Sequence, residues 1–110
     1  MDNLLLSKMT HRCTITEKAM DGYGAETEAT LFTDQACLFE WQNQVIVDKG
    51  EKITINGLLF LPPIDLDVNC DRYTFTQTSP ETRPVGHNYQ IMPMHNPNNG
   101  ELHHYEIWMR

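Results

Sequence analysis

The chain has 110 residues, of which 40% are hydrophobic, and its eight basic and fifteen acidic side chains give a net charge of −7. This length suits one domain with a single core. The acidic balance argues against a protein that grips nucleic acid, which requires clustered lysine and arginine. It is compatible with a wall past which DNA slides, because negative surfaces repel phosphate.

Cysteine usage and hydropathy indicate where such a chain resides. Cys13, Cys37 and Cys70 include no CxxC pair. Cys13 and Cys37 fall within β-patterned runs, so buried free thiols are expected, as in a reducing cytosol. The apolar run at residues 4–6 is too short for a secretory signal. No run approaches the roughly 20 apolar residues of a membrane helix. We therefore expect a soluble protein, made inside a cell, with no membrane partner.

Alternation of apolar and polar residues predicts a succession of short strands. Residues 1–9 allow one or two helical turns, capped by Asp2 or Asn3. The expected fold class is all-β, a small antiparallel β-barrel (or sandwich) of six to seven strands with one long inserted loop and at most a short N-terminal helix. The predicted strands lie at residues 10–17, 27–33, 36–41, 58–61, 72–78, 88–94 and 103–109.

Turn signals separate these strands. Two glycines make residues 21–24 a turn, and a bend or bulge is expected at Asp34 or Gln35. Residues 79–86, which contain two prolines, are expected to form a loop. An Asn-Gly pair within residues 95–100 favours a hairpin there.

Two packing expectations follow from the same patterns. The apolar run 58–61, ended by two prolines, is of the kind that is covered on both faces of a sheet. Because strand side chains alternate, Tyr89 and Ile91 are expected to share one face.

The connection between the strands at 36–41 and 58–61 is much longer than the 2–5 residues that join paired neighbours. A long excursion from a compact barrel is usually functional or disordered. We therefore expect residues 42–57 to project as a loop from a single domain spanning residues 1–110. The loop residues predicted to carry the function are Gln42, Asn43, Gln44, Val45, Ile46, Val47, Asp48, Lys49, Gly50, Glu51, Lys52, Ile53, Thr54 and Ile55.

The same stretch has a simpler interpretation as a local hairpin. In that case residues 45–47 pair with residues 53–55, and residues 48–52 form the turn, which Gly50 permits. The first interpretation predicts an arm that is mobile in the monomer, because its ordering cost is offset only on assembly.

The residue pattern predicts neither an active site nor a metal site. His103 and His104 are adjacent on a strand and are expected to face opposite sides, so they do not share an ion. No HExxH motif or zinc-type Cys–His spacing occurs, and neither serine lies in a GxSxG context. The chain is therefore not expected to be an enzyme or to hold a metal or cofactor.

Two further groups of residues receive structural interpretations. Asp65, Asp67 and Asp71 form an acidic cluster without the ligand order of an EF-hand, so a solvated loop is favoured over a weak cation site. Aromatic residues on the predicted strands are expected to pack in the core, because lysine and arginine do not interleave with them as in a base-stacking surface. They are Tyr73, Phe75, Tyr89, Tyr105 and Trp108.

The order of features along the chain resembles one known family. The features are the strand 10–17, the turn Asp21-Gly22-Tyr23-Gly24, the strand 36–41, the long loop, the proline-bounded run 58–63, the aspartate before Arg72-Tyr73-Thr74-Phe75, and the closing His104-Tyr105-Glu106-Ile107. They cover almost the whole chain. In layout more than in identity, they resemble the head-completion proteins of long-tailed bacteriophages, also called head-closure or stopper proteins.

The resemblance implies a head–tail connector component of the virion, made in the cytoplasm of a bacterial host. It implies a ring of identical subunits, typically twelve, with portal and adaptor proteins above and a tail-completion protein below. Such a ring retains packaged double-stranded DNA without reading its sequence, and it offers the tail a docking surface. By position, residues 42–57 would be the loop that enters the channel and obstructs DNA exit until the tail signals opening.

The residues of the loop suit that role. Residues 45–47 and 53–55 are β-prone and would carry unpaired backbone groups, which identical arms in a ring can pair. Lys49 and Lys52 favour solubility and are placed to meet DNA phosphate. Two other interpretations stay open: a tail-terminator or tail-completion ring protein and, from a different class, a small β-barrel that binds a ligand or single-stranded DNA.

Overall fold

Six antiparallel strands build the part of the chain that the computed structural model describes, residues 7–20 and 22–110. Hydrogen bonds close them into a barrel in the order β1-β2-β3-β6-β5-β4, which confirms the expected all-β class. The strands are β1 (His11–Met20), β2 (Glu26–Asp48), β3 (Glu51–Leu61), β4 (Tyr73–Ser79), β5 (Arg83–His95) and β6 (Leu102–Met109).

The helical turns expected near the N-terminus fall mainly on residues 1–6, which lie outside the described residues. Ser7 has helical conformation, and the buried Met9 leads into β1. Within residues 7–20 and 22–110, the structure contains no helix with the length and apolar character needed to cross a bilayer.

β2, β3 and β5 are each several residues longer than the sequence pattern predicts. β2 is continuous over 23 residues; residues 36–41 were expected either to continue the strand 27–33 or to form a new one. β2 and β3 extend because they pair with each other beyond the barrel. β5 begins at Arg83, inside the predicted loop, because β4 supplies partners such as Thr76 for Pro84 and Gln77 for Arg83. For β5, barrel closure thus supplies hydrogen-bonding partners that local sequence does not reveal.

β2 stays continuous because it absorbs extra residues as bulges. Its pairing with β1 shifts between Cys13 and Ile15 and again between Ile15 and Thr16, each time with one additional residue on β2. Asp34 lies in the first shift with φ of 50°, in the left-handed region. The bend expected at Asp34 or Gln35 is thus confirmed as a β-bulge.

The barrel interior is filled by the inward row of each strand. Ile15, Leu59, Phe75 and Ile107 are fully buried there, and Leu66 and Cys70 enter from the connection between β3 and β4. This connection is anchored by two hydrogen bonds: Asp67 N–H donates to the Tyr73 hydroxyl at 2.9 Å, and Asn88 Nδ2 donates to the Cys70 carbonyl at 2.9 Å.

The acidic cluster lies on this connection as a surface feature. Asp65, Asp67 and Asp71 are all exposed, and the Asp67 carboxylate accepts a local hydrogen bond from Asn69 N–H at 3.0 Å. Asp71 lies 3.9 Å from the Arg72 guanidinium. The three aspartates thus lie on a solvated loop with hydrogen bonds between its own residues. This agrees with the interpretation that the sequence favoured over a cation site.

The expectation that the run 58–61 is covered on both faces is only half right. Leu59 and Leu61 are fully buried, whereas Leu58 and Phe60 face outward and are half-buried. A single-layered barrel has no second layer to cover its outer face. Phe60 instead lies beside the ring of His104, with centroids 6.2 Å apart.

The expectation that Tyr89 and Ile91 share a face is wrong. Opposite β6, Asn88 pairs with Met109 and Gln90 with Trp108, so β5 carries one extra residue. Because of the bulge, the buried side chains of Asn88 and Ile91 both face inward, and Tyr89 is left on the outer side. A one-residue shift in a strand reverses which side chains face the core.

The fold makes Gly57 a sensitive position. A Cβ there would lie 2.6 Å from the Glu40 carbonyl oxygen and 3.4 Å from the Trp41 Cα, backbone atoms held in place by strand pairing. Gly57→Ala is therefore expected to lower the free energy of unfolding by about 1–3 kcal/mol, measured by urea denaturation. Gly22→Ala is the control, since its new Cβ meets nothing within 4 Å. Equal losses in the two variants would contradict this account.

Candidate functional site

The candidate site is the hairpin formed by residues 43–56, here called the arm. It consists of the last part of β2 and the first part of β3. Gln44 pairs with Ile55, Ile46 with Ile53 and Asp48 with Glu51. The long connection is therefore regular structure, as in the local-hairpin interpretation, and it continues the two strands that form the barrel wall.

The tip of the arm is a two-residue turn. Lys49 has φ of 53° and Gly50 has φ of 82°. Two successive positive φ angles are typical of a type I′ turn, whose twist matches that of paired strands. The turn is shorter than the five residues of the sequence interpretation, because Asp48 and Glu51 continue the ladder.

The arm leaves the barrel at Gly57. There Gly57 pairs with Trp41 on one side and with Met109, the last residue of β6, on the other. Between Trp41 and Gln44, β2 carries an extra residue, so a bulge marks the base of the arm. Beyond it the arm is a two-stranded ribbon, and its strands have no further ladder partners among the described residues.

The two faces of the arm differ in exposure. Ile46 and Ile53 are half-buried and Ile55 is fully buried, so this face packs against the molecule. On the opposite face, Val45 is 61% exposed and Val47 is 69% exposed. Two adjacent exposed valines on a projecting hairpin are a small apolar surface available to a partner.

Tyr89, on the outer side of β5, holds the arm near its tip and is itself contacted by Arg110, the residue after β6. The Tyr89 hydroxyl donates a hydrogen bond to the Asp48 carboxylate. The Arg110 guanidinium lies 5.4 Å from the Tyr89 ring centroid, within the range of a cation–π contact. The bulge in β5 that turns Tyr89 outward is thus what allows this contact. We call Tyr89 and Arg110 the seat of the arm.

A second contact fixes the base. Trp41 stacks on Phe39 with ring centroids 5.9 Å apart, and the Arg83 guanidinium lies 3.7 Å from the Trp41 ring centroid. Arg83 and Tyr89 both belong to β5, so side chains of β5 contact β2 at the base of the arm and again near its tip.

The charges of the arm alternate in sign. Asp48, Lys49, Glu51 and Lys52 cluster around the turn. Neither lysine forms an ion pair with a described residue, and both are exposed. They are available to a partner outside the chain.

The structure corrects the expectation for the histidine pair. Although His103 and His104 are adjacent on β6, their Nδ1 atoms lie 2.8 Å apart, and His104 Nε2 lies 2.9 Å from Glu106. The imidazole rings turn along the strand to meet each other. Across residues 7–20 and 22–110, no three His, Cys, Asp or Glu side chains come together as metal ligands.

The cysteines are buried and free, as expected. Cys13 and Cys37 are fully enclosed. The pKa of Cys37 is raised far above its ordinary value. The largest cause is a hydrogen bond with the Cys13 thiol, and burial is the second. Both side chains belong to the barrel core, which keeps the Cys37 thiol protonated.

The sequence identified the arm residues but not their seat. Trp41, Arg83, Tyr89 and Arg110 became candidates only through contacts across strands, and Tyr89 was expected in the core. A period-2 pattern contains no signal for the bulge that turns it outward.

Comparison with known proteins gave no assignment: no protein-family model, curated protein or solved structure matches the chain.

The arm and the barrel wall should differ in local stability. Amide protons of residues 43–56 are expected to exchange faster than those of Leu59 and Leu61, because the arm is a two-stranded ribbon with open edges, whereas the wall strands have neighbours on both sides. Hydrogen-exchange mass spectrometry of the monomer measures the difference. Equally slow exchange in both segments would contradict an independently opening arm.

The seat also predicts a pH dependence. The hydrogen bond to Asp48 raises the pKa of Tyr89 above 10.0. The neutral hydroxyl is the donor, so the contact is complete below pH 10 and is lost as the pH rises through the raised pKa. The difference between the 295-nm absorbance titrations of the protein and of Tyr89→Phe should show the Tyr89 hydroxyl losing its proton above pH 10. Asp48→Asn should return the titration towards pH 10, and an unchanged titration in that variant would contradict the contact.

Proposed function

We propose that the protein is a head–tail connector subunit of the head-completion type, which forms a ring below the portal and adaptor and retains packaged DNA. Its natural location is then the virion, at the interface between head and tail. The observation that carries the proposal is the arm: a hairpin of the predicted length and position, extending beyond a closed barrel, with exposed valines and unpaired edges.

The arm is suited to obstruct a channel when repeated around an axis. A single ribbon blocks little, but a ring brings one copy from each subunit to the same level. The exposed face with Val45 and Val47 would then be removed from water by neighbouring copies, which favours a closed state. Lys49 at the tips would face the phosphates of the retained DNA.

The charge of the remaining molecule fits passage of DNA. A net charge of −7 disfavours a wall that would hold the duplex. An acidic channel wall with a few cations confined to movable tips repels DNA along most of its length. DNA then meets the gate without adhering to the wall.

Removal of the arm tests the gate. A variant lacking residues 44–55 should keep its barrel, because the deleted pairs lie beyond Gly57 and belong to none of the ladders that close the ring of strands, although the buried Ile55 is lost with them. Heads completed with this variant are expected to lose packaged DNA, measured as nuclease-sensitive DNA released from purified tailless heads. Circular dichroism of the variant is the control for folding.

A graded variant makes the test sharper. Val45→Thr with Val47→Thr keeps the hairpin and its charges but makes the exposed face polar, and it is expected to give intermediate leakage. Retention of DNA by heads that carry the 44–55 deletion would show that another element closes the channel. Association of the intact protein with tails instead of tailless heads would favour a tail-terminator.

A further inference from the structure

The N-terminal part of β2 has an open edge. Residues 26–37 pair with β1, whereas pairing with β3 begins only at Leu38. Within the described chain, no backbone-to-backbone hydrogen bond reaches the side of residues 26–36 that faces away from β1. Residues 22–31 are all exposed. We call residues 26–36 the β2 edge; such an edge offers donors and acceptors to a strand from another molecule.

The arm has an open edge of its own. Its β3 half, residues 51–56, pairs only with β2, because β6 ends opposite Gly57. The β2 half of the arm is instead engaged near its tip, where the Tyr89 hydroxyl donates a hydrogen bond to the Asp48 carboxylate. Residues 51–56 are therefore the accessible edge of the arm, here called the arm edge.

Symmetry limits how these two edges are used. In a ring of more than two subunits, each contact joins two different surfaces, one from each neighbour. The arm edge and the β2 edge are two such surfaces. They belong to hairpins at opposite ends of β2, so one rigid strand presents a surface to each neighbour. An arm-to-arm ladder would instead require the β2 half of the arm, whose Asp48 is held by Tyr89.

Charge and apolar exposure also match. The β2 edge carries Glu28, which has no ion pair among the described residues, and Leu31, which is 41% exposed. The arm edge carries Lys52, likewise without an ion pair, and the exposed Thr54. The arm edge also carries Glu51, next to the turn, whereas the charged residues of the β2 edge, Glu26, Glu28 and Asp34, are all acidic. Like charges disfavour pairing of two β2 edges, and Lys52 favours pairing of an arm edge with a β2 edge.

We propose that the arm edge of one subunit adds as a strand to the β2 edge of the next subunit. The proposal rests on the ring inferred above and names the contact that links its members. Each arm is then held by a neighbour.

Cross-linking tests the contact directly. The double variant Thr54→Cys with Ala29→Cys places one thiol on each edge at exposed positions. The native cysteines are buried, so a short bis-maleimide is expected to react with the introduced thiols. Rings on tailless heads should yield a ladder of covalent multimers. The matched control, Thr54→Cys with Glu101→Cys, moves the second thiol to the exposed β5–β6 connection and should yield no ladder.

The outcomes separate this contact from the ring itself. If rings form but the Thr54→Cys with Ala29→Cys variant yields no more covalent multimers than the control variant, the proposed contact is overturned. The connector function is then unaffected. Efficient dimer formation by Thr54→Cys alone also overturns the contact, because the arms then meet each other. If the unsubstituted chain forms no rings on tailless heads, the connector function fails, and the contact fails with it.

Discussion

The structure depends on one constraint, the offset of β2 between its two neighbours. β2 pairs with β1 over its first half and with β3 over its second half, and the change of partner falls between Cys37 and Leu38. A strand shared in this way closes a barrel and still extends beyond it at both ends. The arm and the open β2 edge are thus two results of the same offset, and neither needs an inserted domain.

Bulges make this offset compatible with a buried core. Three extra residues in β2, two opposite β1 and one at the base of the arm, let its side chains keep facing inward as the strand bends. A further bulge in β5 has the opposite effect at Tyr89, which leaves the core side for the seat of the arm. The same local device therefore preserves packing at one place and creates a surface contact at another.

The sequence predicted those parts of the fold that depend on local alternation. Ile15, Phe75 and Ile107 lie inward as the period of two requires, and the 95–100 turn joins β5 to β6. The position of the arm followed from the number of residues between two predicted barrel strands, 36–41 and 58–61. What sequence reasoning missed depends on register: Tyr89 changes face through one extra residue, and Arg83 reaches Trp41 through space. Neither effect leaves a periodic signal.

Lys49 connects the turn geometry to the solution behaviour of the free chain. A lysine in the left-handed region costs about 1 kcal/mol relative to glycine or asparagine, residues that would make the turn more stable. In return, the hairpin carries a positive charge at its outermost point. Charged residues near open strands oppose edge-to-edge aggregation. The charge thus protects the open edges of the arm against aggregation, at the cost of a less stable turn.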